Sequence, residues 1–191
     1  MSRSDLVDFI DRLDAQFARP GRLYLIGETT QVWEGWRSWT PQIELTADVA
    51  DEDRGEFARA VGHLADGLRL SVNDESPAEV IPLPDGYEAR ARRTPAIRAW
   101  EESEARRLSL VHFDPYSVAF RFIARGDEPD YHAVLAFLQR GWVTVEEMNA
   151  VLADLLPQFT SETIQQDPAE FRRKFKGLLQ MWRAAHPETA C

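Results

Sequence analysis

Polar side chains recur at alternate positions of one predicted strand, which is where the sequence offers its clearest opportunity for chemistry. Residues 42–46 alternate polar and apolar side chains, as a half-exposed strand does. By strand periodicity, Gln42, Glu44, Thr46 and Asp48 share one face. Glu75 is the acidic residue on the outward face that follows the next predicted strand. Because Mg²⁺ prefers oxygen ligands, Glu44 with Asp48 or Glu75 could hold one ion.

The elements around this strand predict an α+β unit over residues 1–112, a small mixed β-sheet with flanking helices. An amphipathic helix precedes an apolar strand over 23–26, which stops at Gly27. Thr29 and Thr30 offer the cap of a short helix after that turn. A helix over 51–67 and strands over 68–73, 87–92 and 108–112 complete the predicted unit.

Residues 113–191 predict a C-terminal helical subdomain packed on the first unit. Each of its four helices begins at a recognisable signal: Asp114-Pro115, Glu128-Pro129, a capping box of Thr144 with Glu147, and Asp167-Pro168 with Glu170. The division into two parts is therefore a change from mixed to purely helical patterning.

Composition limits the classes of function. The 191 residues include 22 Lys and Arg against 32 Asp and Glu, a formal net charge of -10, which argues against general duplex DNA binding. No apolar stretch is long enough for a transmembrane helix, so no membrane partner is expected. The single cysteine, Cys191, allows neither a disulfide nor a cysteine zinc site within the chain, which favours a cytoplasmic location.

Several familiar catalytic patterns are missing from the sequence. The four histidines are scattered without zinc-ligand spacing, and no serine stands in a Gly-x-Ser-x-Gly context. Neither a dinucleotide-binding glycine motif nor a Walker A motif occurs. Zinc catalysis, α/β-hydrolase chemistry and these two nucleotide-binding motifs therefore have no support in the sequence.

The order of features from Leu23 to Leu45 resembles one known family. A strand ends at Gly27, a short helix follows, Arg37 and Thr40 come next, and a strand with alternating polar residues closes the segment. This plan is similar to that of bacterial nucleotidyltransferases of the DNA polymerase β type, in particular those related to abortive-infection (type IV toxin–antitoxin) toxins. Further matching stretches span most of the chain: 72–77, 82–86 with Arg90, 114–117, 125–130, and 167–174.

The resemblance implies a two-metal transfer of a nucleotidyl group. In that family a nucleoside triphosphate and Mg²⁺ are held by an Asp-apolar-Asp strand and by the turn that precedes it, whose backbone N–H groups face the phosphates. Carried over by position, the catalytic set is Gln42, Glu44 and Glu75, to which strand periodicity adds Asp48, and the metal set is Glu44, Asp48 and Glu75. The nucleotide-binding residues implied in the same way are Gly27, Glu28, Thr29, Arg37, Thr40, Arg121 and Arg125.

The chain departs from the family pattern where the chemistry is done. Glu28 stands where the family has Gly or Ser and would repel a triphosphate, and Gln42 replaces the first aspartate with a neutral amide. One interpretation is a catalytically impaired, nucleotidyltransferase-like protein that binds a nucleotide or a partner. An alternative is an active, toxin-like enzyme with displaced carboxylates that modifies RNA or protein. A third is a non-catalytic interaction module built on Trp33, Trp36 and Trp39.

Two basic clusters leave the partner open. Arg121 and Arg125 could contact phosphate, or they could form a salt-bridge cluster with Asp127 and Asp130. The basic run over 172–176 with Arg183 could contact RNA or an acidic partner, such as an antitoxin-like protein, or be a solvated helix face.

Overall fold

The α+β class with a mixed sheet is confirmed. A computed structural model describes residues 1–74, 76–94, 106–159 and 166–186, and this part of the chain contains seven α-helices and five strands. None of the helices in these ranges combines the length and apolarity that crossing a bilayer requires. The chain divides into two compact units, Met1–Glu75 with Ala91–Phe113, and Ser76–Arg90 with Asp114–Cys191. The predicted boundary at 112/113 falls one residue early, and it misses that residues 76–90 belong with the helical unit.

The first unit contains all five strands. Its elements, in chain order, are α1 (Arg3–Phe17), β1 (Gly21–Leu25), α2 (Gly27–Trp33), β2 (Ile43–Asp48), α3 (Arg54–Leu68), β3 (Val72–Asn73), β4 (Arg92–Arg93) and β5 (Leu108–His112).

The sheet of the first unit has the strand order β3-β2-β1-β5-β4. Strand β1 runs antiparallel to β2 and parallel to β5, with Leu25 opposite both Leu45 and His112. The carboxyl ends of β1 and β5 therefore meet at one edge of the sheet, and β2 begins beside them. Helix α2 leaves β1 at that edge, which places its first turn next to the start of β2.

One core holds the first unit together. Helix α1 buries the apolar stripe that its 3–4 spacing predicts, and Phe17 packs edge-on against Phe57 of α3 with ring centroids 5.3 Å apart. Leu23 and Leu25 of β1 face the same core. Ser2 caps α1 reciprocally with Asp5, which fixes where the helix begins.

Three local predictions in and beside this unit are wrong. Residues 68–73 contain only the two-residue β3, because Leu68 extends the apolar stripe of α3 and Arg69 ends the helix at φ +56°. Residues 87–92 are not one strand, because the turn at Gly86 (φ +74°) continues into a 3₁₀ helix over Tyr87–Arg90. Helix α2 begins at Gly27 without a side-chain cap, so neither Thr29 nor Thr30 caps it.

The second unit is built around a buried helix. Its helices are α4 (Pro115–Arg125), α5 (Glu128–Gln139), α6 (Val145–Leu155) and α7 (Pro168–Ala185), with short 3₁₀ turns at Pro77–Glu79 and Leu156–Gln158. Ten consecutive residues of α4, from Pro115 to Ala124, are buried, so this helix is surrounded on all sides. Phe120 of α4 lies 6.0 Å from Phe171 of α7, measured between ring centroids.

Capping side chains set three of the four helix starts in this unit, since α5 begins without one. Asp114 and Asp167 cap α4 and α7 as predicted, whereas the predicted partner of Asp167, Glu170, contacts Lys174 instead. Thr144 accepts a hydrogen bond from the backbone N–H of Glu147, but the Glu147 carboxylate does not complete a capping box. It accepts the hydroxyl of Tyr116 at 2.5 Å instead, which ties α6 to α4.

Candidate nucleotide site

The turn between β1 and α2 is the feature around which the predicted site residues gather. Gly27 adopts φ +60°, a conformation that a glycine reaches without the penalty of a side chain. Ile26 donates its N–H to the carbonyl of Glu44 at 3.1 Å, which holds the turn against β2. Glu28 and Thr29 follow in the first turn of α2, so the structure brings Gly27, Glu28, Thr29 and Glu44 together.

Glu44 is buried at this turn rather than half-exposed as the alternation predicts. Its exposed fraction is 3%. Its carboxylate accepts the N–H of Glu28 at 3.1 Å, and its own N–H donates to the hydroxyl of Thr29 at 2.8 Å. A carboxylate is stabilised at a helix start because N–H groups there lack partners within the helix. The Glu44 carboxylate therefore anchors the start of α2 to β2.

The Glu28 carboxylate engages both residues that the resemblance assigns to the nucleotide. Arg37 donates from Nη1 to Glu28 Oε1 at 2.6 Å, and the Thr40 hydroxyl lies 3.2 Å from Glu28 Oε2. The same hydroxyl lies 3.0 Å from the carbonyl of Gln42, so its one proton is shared between two acceptors. The guanidinium and the hydroxyl that could contact a phosphate are thus directed at an acidic side chain of the protein.

Arg37 also organises the loop between α2 and β2. Its Nε donates to the carbonyl of Trp39 at 2.7 Å, and its backbone N–H donates to the carbonyl of Gln31 at 3.2 Å. The three tryptophans around it do not form one surface. Trp33 is 1% exposed and Trp36 is half-buried, whereas Trp39 is 55% exposed. The surface proposed for an interaction module is therefore reduced to Trp39.

Among the described residues, the other predicted metal ligand, Asp48, does not lie at this turn. Gln42 is half-buried beside it, and Asp48 is exposed four residues along β2 from Glu44, about 13 Å at the usual rise per strand residue. Glu75 lies outside the described residues. Within the described ranges, no group of three or more His, Cys, Asp or Glu side chains is placed to hold a metal ion. Glu44 and Asp48, as the structure places them, do not fit a shared pair of Mg²⁺ ions of the kind that the resemblance implies.

Arg121 and Arg125 belong to the second unit, on α4. Arg121 is 1% exposed. Arg125 makes a two-point contact with Asp130 of α5, from Nη2 at 2.6 Å and from Nε at 3.1 Å. Arg125 and Asp130 therefore form the salt bridge that was one of the two interpretations of this cluster. Asp127 precedes α5 and makes no side-chain capping hydrogen bond to it.

Sequence patterns missed a buried histidine network near the carboxyl ends of β1 and β5. His112 is fully buried, with Nε2 2.7 Å from Glu34 Oε1 and Nδ1 3.2 Å from the Thr30 hydroxyl. Burial lowers the pKa of His112, and the hydrogen bond to Glu34 opposes that decrease. In the neutral ring, Nε2–H donates to Glu34, and the one proton of the Thr30 hydroxyl is shared between Nδ1 and the carbonyl of Leu25, 3.1 Å away. The only signal available in the sequence was a histidine at the last position of an apolar strand.

A second unpredicted contact joins two residues that the resemblance quotes separately. Arg90 donates to both oxygens of Asp114, from Nε at 3.0 Å and from Nη2 at 3.1 Å, and the Asp114 side chain is fully buried. Asp114 also caps α4, so one carboxylate holds residues 84–90 against the start of that helix.

Comparisons of the chain with protein-family models, with curated proteins and with solved structures find no match. The family expectation therefore depends on the residues themselves and on the geometry described above.

Proposed function

We propose that this chain is a divergent, nucleotidyltransferase-like protein that has lost two-metal catalysis and uses the Gly27 turn to bind a nucleotide or a partner. The observation that carries the proposal is the commitment of both local carboxylates to the protein's own groups. Glu28 pairs with Arg37 and Thr40, and Glu44 accepts the N–H of Glu28.

The arrangement of elements supports the nucleotidyltransferase-like part of the proposal. Strand β1 ends at a glycine turn, α2 follows, Arg37 and Thr40 lie in the next loop, and β2 returns beside β1 with Glu44 next to the turn. This is the order that the resemblance implies, and it brings the predicted turn and one predicted acid into contact.

The chemistry of the side chains supports the loss of catalysis. Nucleotidyl transfer by two Mg²⁺ ions needs carboxylates that can bridge both ions. At this site Gln42 contributes only an amide, Asp48 lies about 13 Å from Glu44 along the strand, and Glu44 already accepts a backbone hydrogen bond. We therefore propose no metal-dependent nucleotidyl transfer by this chain.

The proposal also includes the ligands and the cellular location that the sequence led us to expect. A nucleotide held here would contact Arg37 and Thr40 after Glu28 releases them, and a partner protein of antitoxin-like type or an RNA are the other candidate ligands. The single cysteine of the chain supports a cytoplasmic location under the same proposal.

Isothermal titration calorimetry with ATP, in the presence of MgCl₂ or of EDTA, tests the proposal. We expect ATP affinities that differ by less than about twofold between the two conditions, since no metal pair contributes to binding. The same titrations of Glu44→Gln, which removes the charge and keeps an acceptor, should show the same indifference to Mg²⁺. Asp48→Asn makes the same change at the other predicted metal ligand on β2 and should show the same indifference.

Mg²⁺-dependent ATP binding that disappears in Glu44→Gln would overturn the proposal, whether or not Asp48→Asn also loses it. That result would favour the alternative of an active, metal-dependent nucleotidyltransferase that modifies RNA or protein.

A further inference from the structure

A groove on the second unit lies between α6 and α7 and is separate from the residues of the proposed nucleotide site. Its volume is about 490 Å³, within the range of pockets that bind ligands. The floor is apolar and consists of Leu152 and Leu156 on one side and Phe175 and Leu179 on the other. Leu152, Phe175 and Leu179 are buried in the core of the unit, and Leu156 is half-buried, so Leu156 contributes most of the apolar surface that the floor presents.

Positive charge lines this groove in a chain that is acidic overall. Arg172, Lys176 and Arg183 contribute side chains to its wall, while the whole chain carries a net charge of -10. Within the described part of the chain, none of these three side chains forms an ion pair with an acidic residue. The neighbouring cation Lys174 differs, because it contacts Glu170 at 3.3 Å and the carbonyl of Ala124 at 2.6 Å.

The three cations follow one side of α7 at positions i, i+4 and i+11, which helical geometry places along a common face. From Arg172 to Arg183 the helix rises about 16 Å, or three turns. The groove is therefore elongated, with a continuous apolar floor and positive charge at both ends of one wall.

We propose that this groove docks an acidic amphipathic helix of a partner protein. A helix of about three turns would lay apolar residues spaced i, i+3, i+4 and i+7 on the Leu152–Leu179 floor. Glutamates or aspartates flanking that stripe would meet Arg172, Lys176 and Arg183. Charge complementarity selects this occupant, since a basic helix would be repelled and a neutral one would leave the cations without partners.

Single-stranded RNA fits the groove less well. Sequence-tolerant RNA binding uses exposed aromatic rings on which bases stack. The aromatic residue of the floor, Phe175, is 3% exposed and presents no free ring face. The partly exposed side chain of the floor is the aliphatic Leu156, which matches leucine-type side chains better than nucleobases.

Fluorescence anisotropy with a synthetic peptide tests the proposal. The probe is a fluorescein-labelled, amidated peptide of about 16 residues with leucines at i, i+3, i+4 and i+7 and glutamates at the flanking positions. A scrambled peptide of identical composition lacks the apolar stripe and is the matched probe. We expect saturable binding of the patterned peptide that weakens at high salt.

Variants of the full chain locate the binding site. Lys176→Glu and Arg172→Glu should each weaken peptide binding at least about tenfold, and Leu156→Ser should weaken it without changing the charge. Arg54→Glu, at a side chain that is 70% exposed in the first unit, makes the same charge change and should leave binding unaltered. Circular dichroism of each variant checks that it is folded.

Three results would overturn the proposal: no saturable binding of the patterned peptide, equal binding of the scrambled peptide, or equal loss of binding in Lys176→Glu and Arg54→Glu. Competition by a short oligouridylate that binds more tightly than the peptide, and whose binding is lost in Lys176→Glu, would assign the groove to RNA instead. These outcomes are independent of ATP binding at the Gly27 turn.

Discussion

The contact between Glu28 and Arg37 should have a measurable coupling energy, because the side-chain atoms lie 2.6 Å apart at the edge of the first unit's core. The perturbation is a double-mutant cycle of Glu28→Ala, Arg37→Ala and the double variant. If Glu28 is committed to Arg37 in solution, the two substitutions will not be additive, since either one alone already breaks the contact.

The expected coupling follows from the exposure of the two side chains. Glu28 is 15% exposed and Arg37 is 39% exposed, so the pair is partly screened by water. Exposed ion pairs contribute about 0.2–1 kcal/mol, and hydrogen bonds to charged groups about 1.5–3 kcal/mol. For a short but partly solvated contact we take about 1 kcal/mol. Each single variant should lose somewhat more than this in its free energy of unfolding. Glu28→Ala also loses the hydrogen bond from the Thr40 hydroxyl, and Arg37→Ala also loses the one to the carbonyl of Trp39.

Urea unfolding followed by circular dichroism gives the four free energies of unfolding that the cycle needs. The matched control is the cycle of Asp8→Ala and Arg12→Ala on α1, where the two atoms are 2.9 Å apart but both side chains are more than half exposed. That control should yield a few tenths of a kcal/mol. A Glu28–Arg37 coupling no larger than the control would refute the argument that Glu28 holds Arg37.

Three further perturbations give distinct expected outcomes. Arg90→Met should lower the free energy of unfolding by about 3 kcal/mol, because it leaves the buried Asp114 carboxylate without its cation, and a change below about 1 kcal/mol would contradict this. Wild-type protein should lose stability as the pH falls below the ordinary pKa of histidine. Burial lowers the pKa of His112, so the unfolded state binds more protons than the folded state in that range. The urea midpoint of His112→Gln should therefore fall less than that of wild type over the same pH range. Gly126→Ala should lower the thermal unfolding midpoint more than Gly141→Ala. Both glycines have positive φ, but only at Gly126 would the new Cβ lie 2.9 Å from a lysine side chain. Equal decreases for the two variants would contradict this prediction.

The long periodic elements were predictable because one physical signal dominates each of them. Helix α1 follows its apolar stripe, and β5 follows its alternation over Leu108–His112. Helices α4 and α7 begin at Asp-Pro caps whose side chains accept the expected backbone N–H groups. In these elements local propensity and burial agree, so sequence patterns were sufficient.

Short elements failed where two signals compete. The alternation over 68–73 is real, but Leu68 is four residues from Leu64 and completes a helical stripe, so α3 continues into the predicted strand. The half-exposed pattern of β2 was overridden at Glu44, because the side chain that alternation places outward is covered by the start of α2. Tertiary contacts of this kind have no signature in the spacing of one segment.

Part of the candidate site was predictable from the resemblance, but the pairing of its side chains was not. Gly27, Glu28, Arg37, Thr40 and Glu44 lie together at one turn, whereas Asp48 lies farther along β2. The path of the loop over 34–40 brings Arg37 and Thr40 to the Glu28 carboxylate, and the spacing of residues in the sequence does not predict that path. The histidine network depends on the pairing of β1 with β5, which joins residues 87 positions apart.

ATP binding by wild-type protein and by Glu28→Ser, measured by calorimetry under identical conditions, tests most directly whether Glu28 closes the site. The substitution restores the small residue of the family pattern, frees Arg37 and Thr40, and removes one negative charge that opposes a phosphate. We expect Glu28→Ser to bind ATP at least about tenfold more tightly than wild type. Asp48→Ser removes one negative charge from the far end of β2 and should change the affinity little. Unchanged or weaker ATP binding in Glu28→Ser would contradict the account.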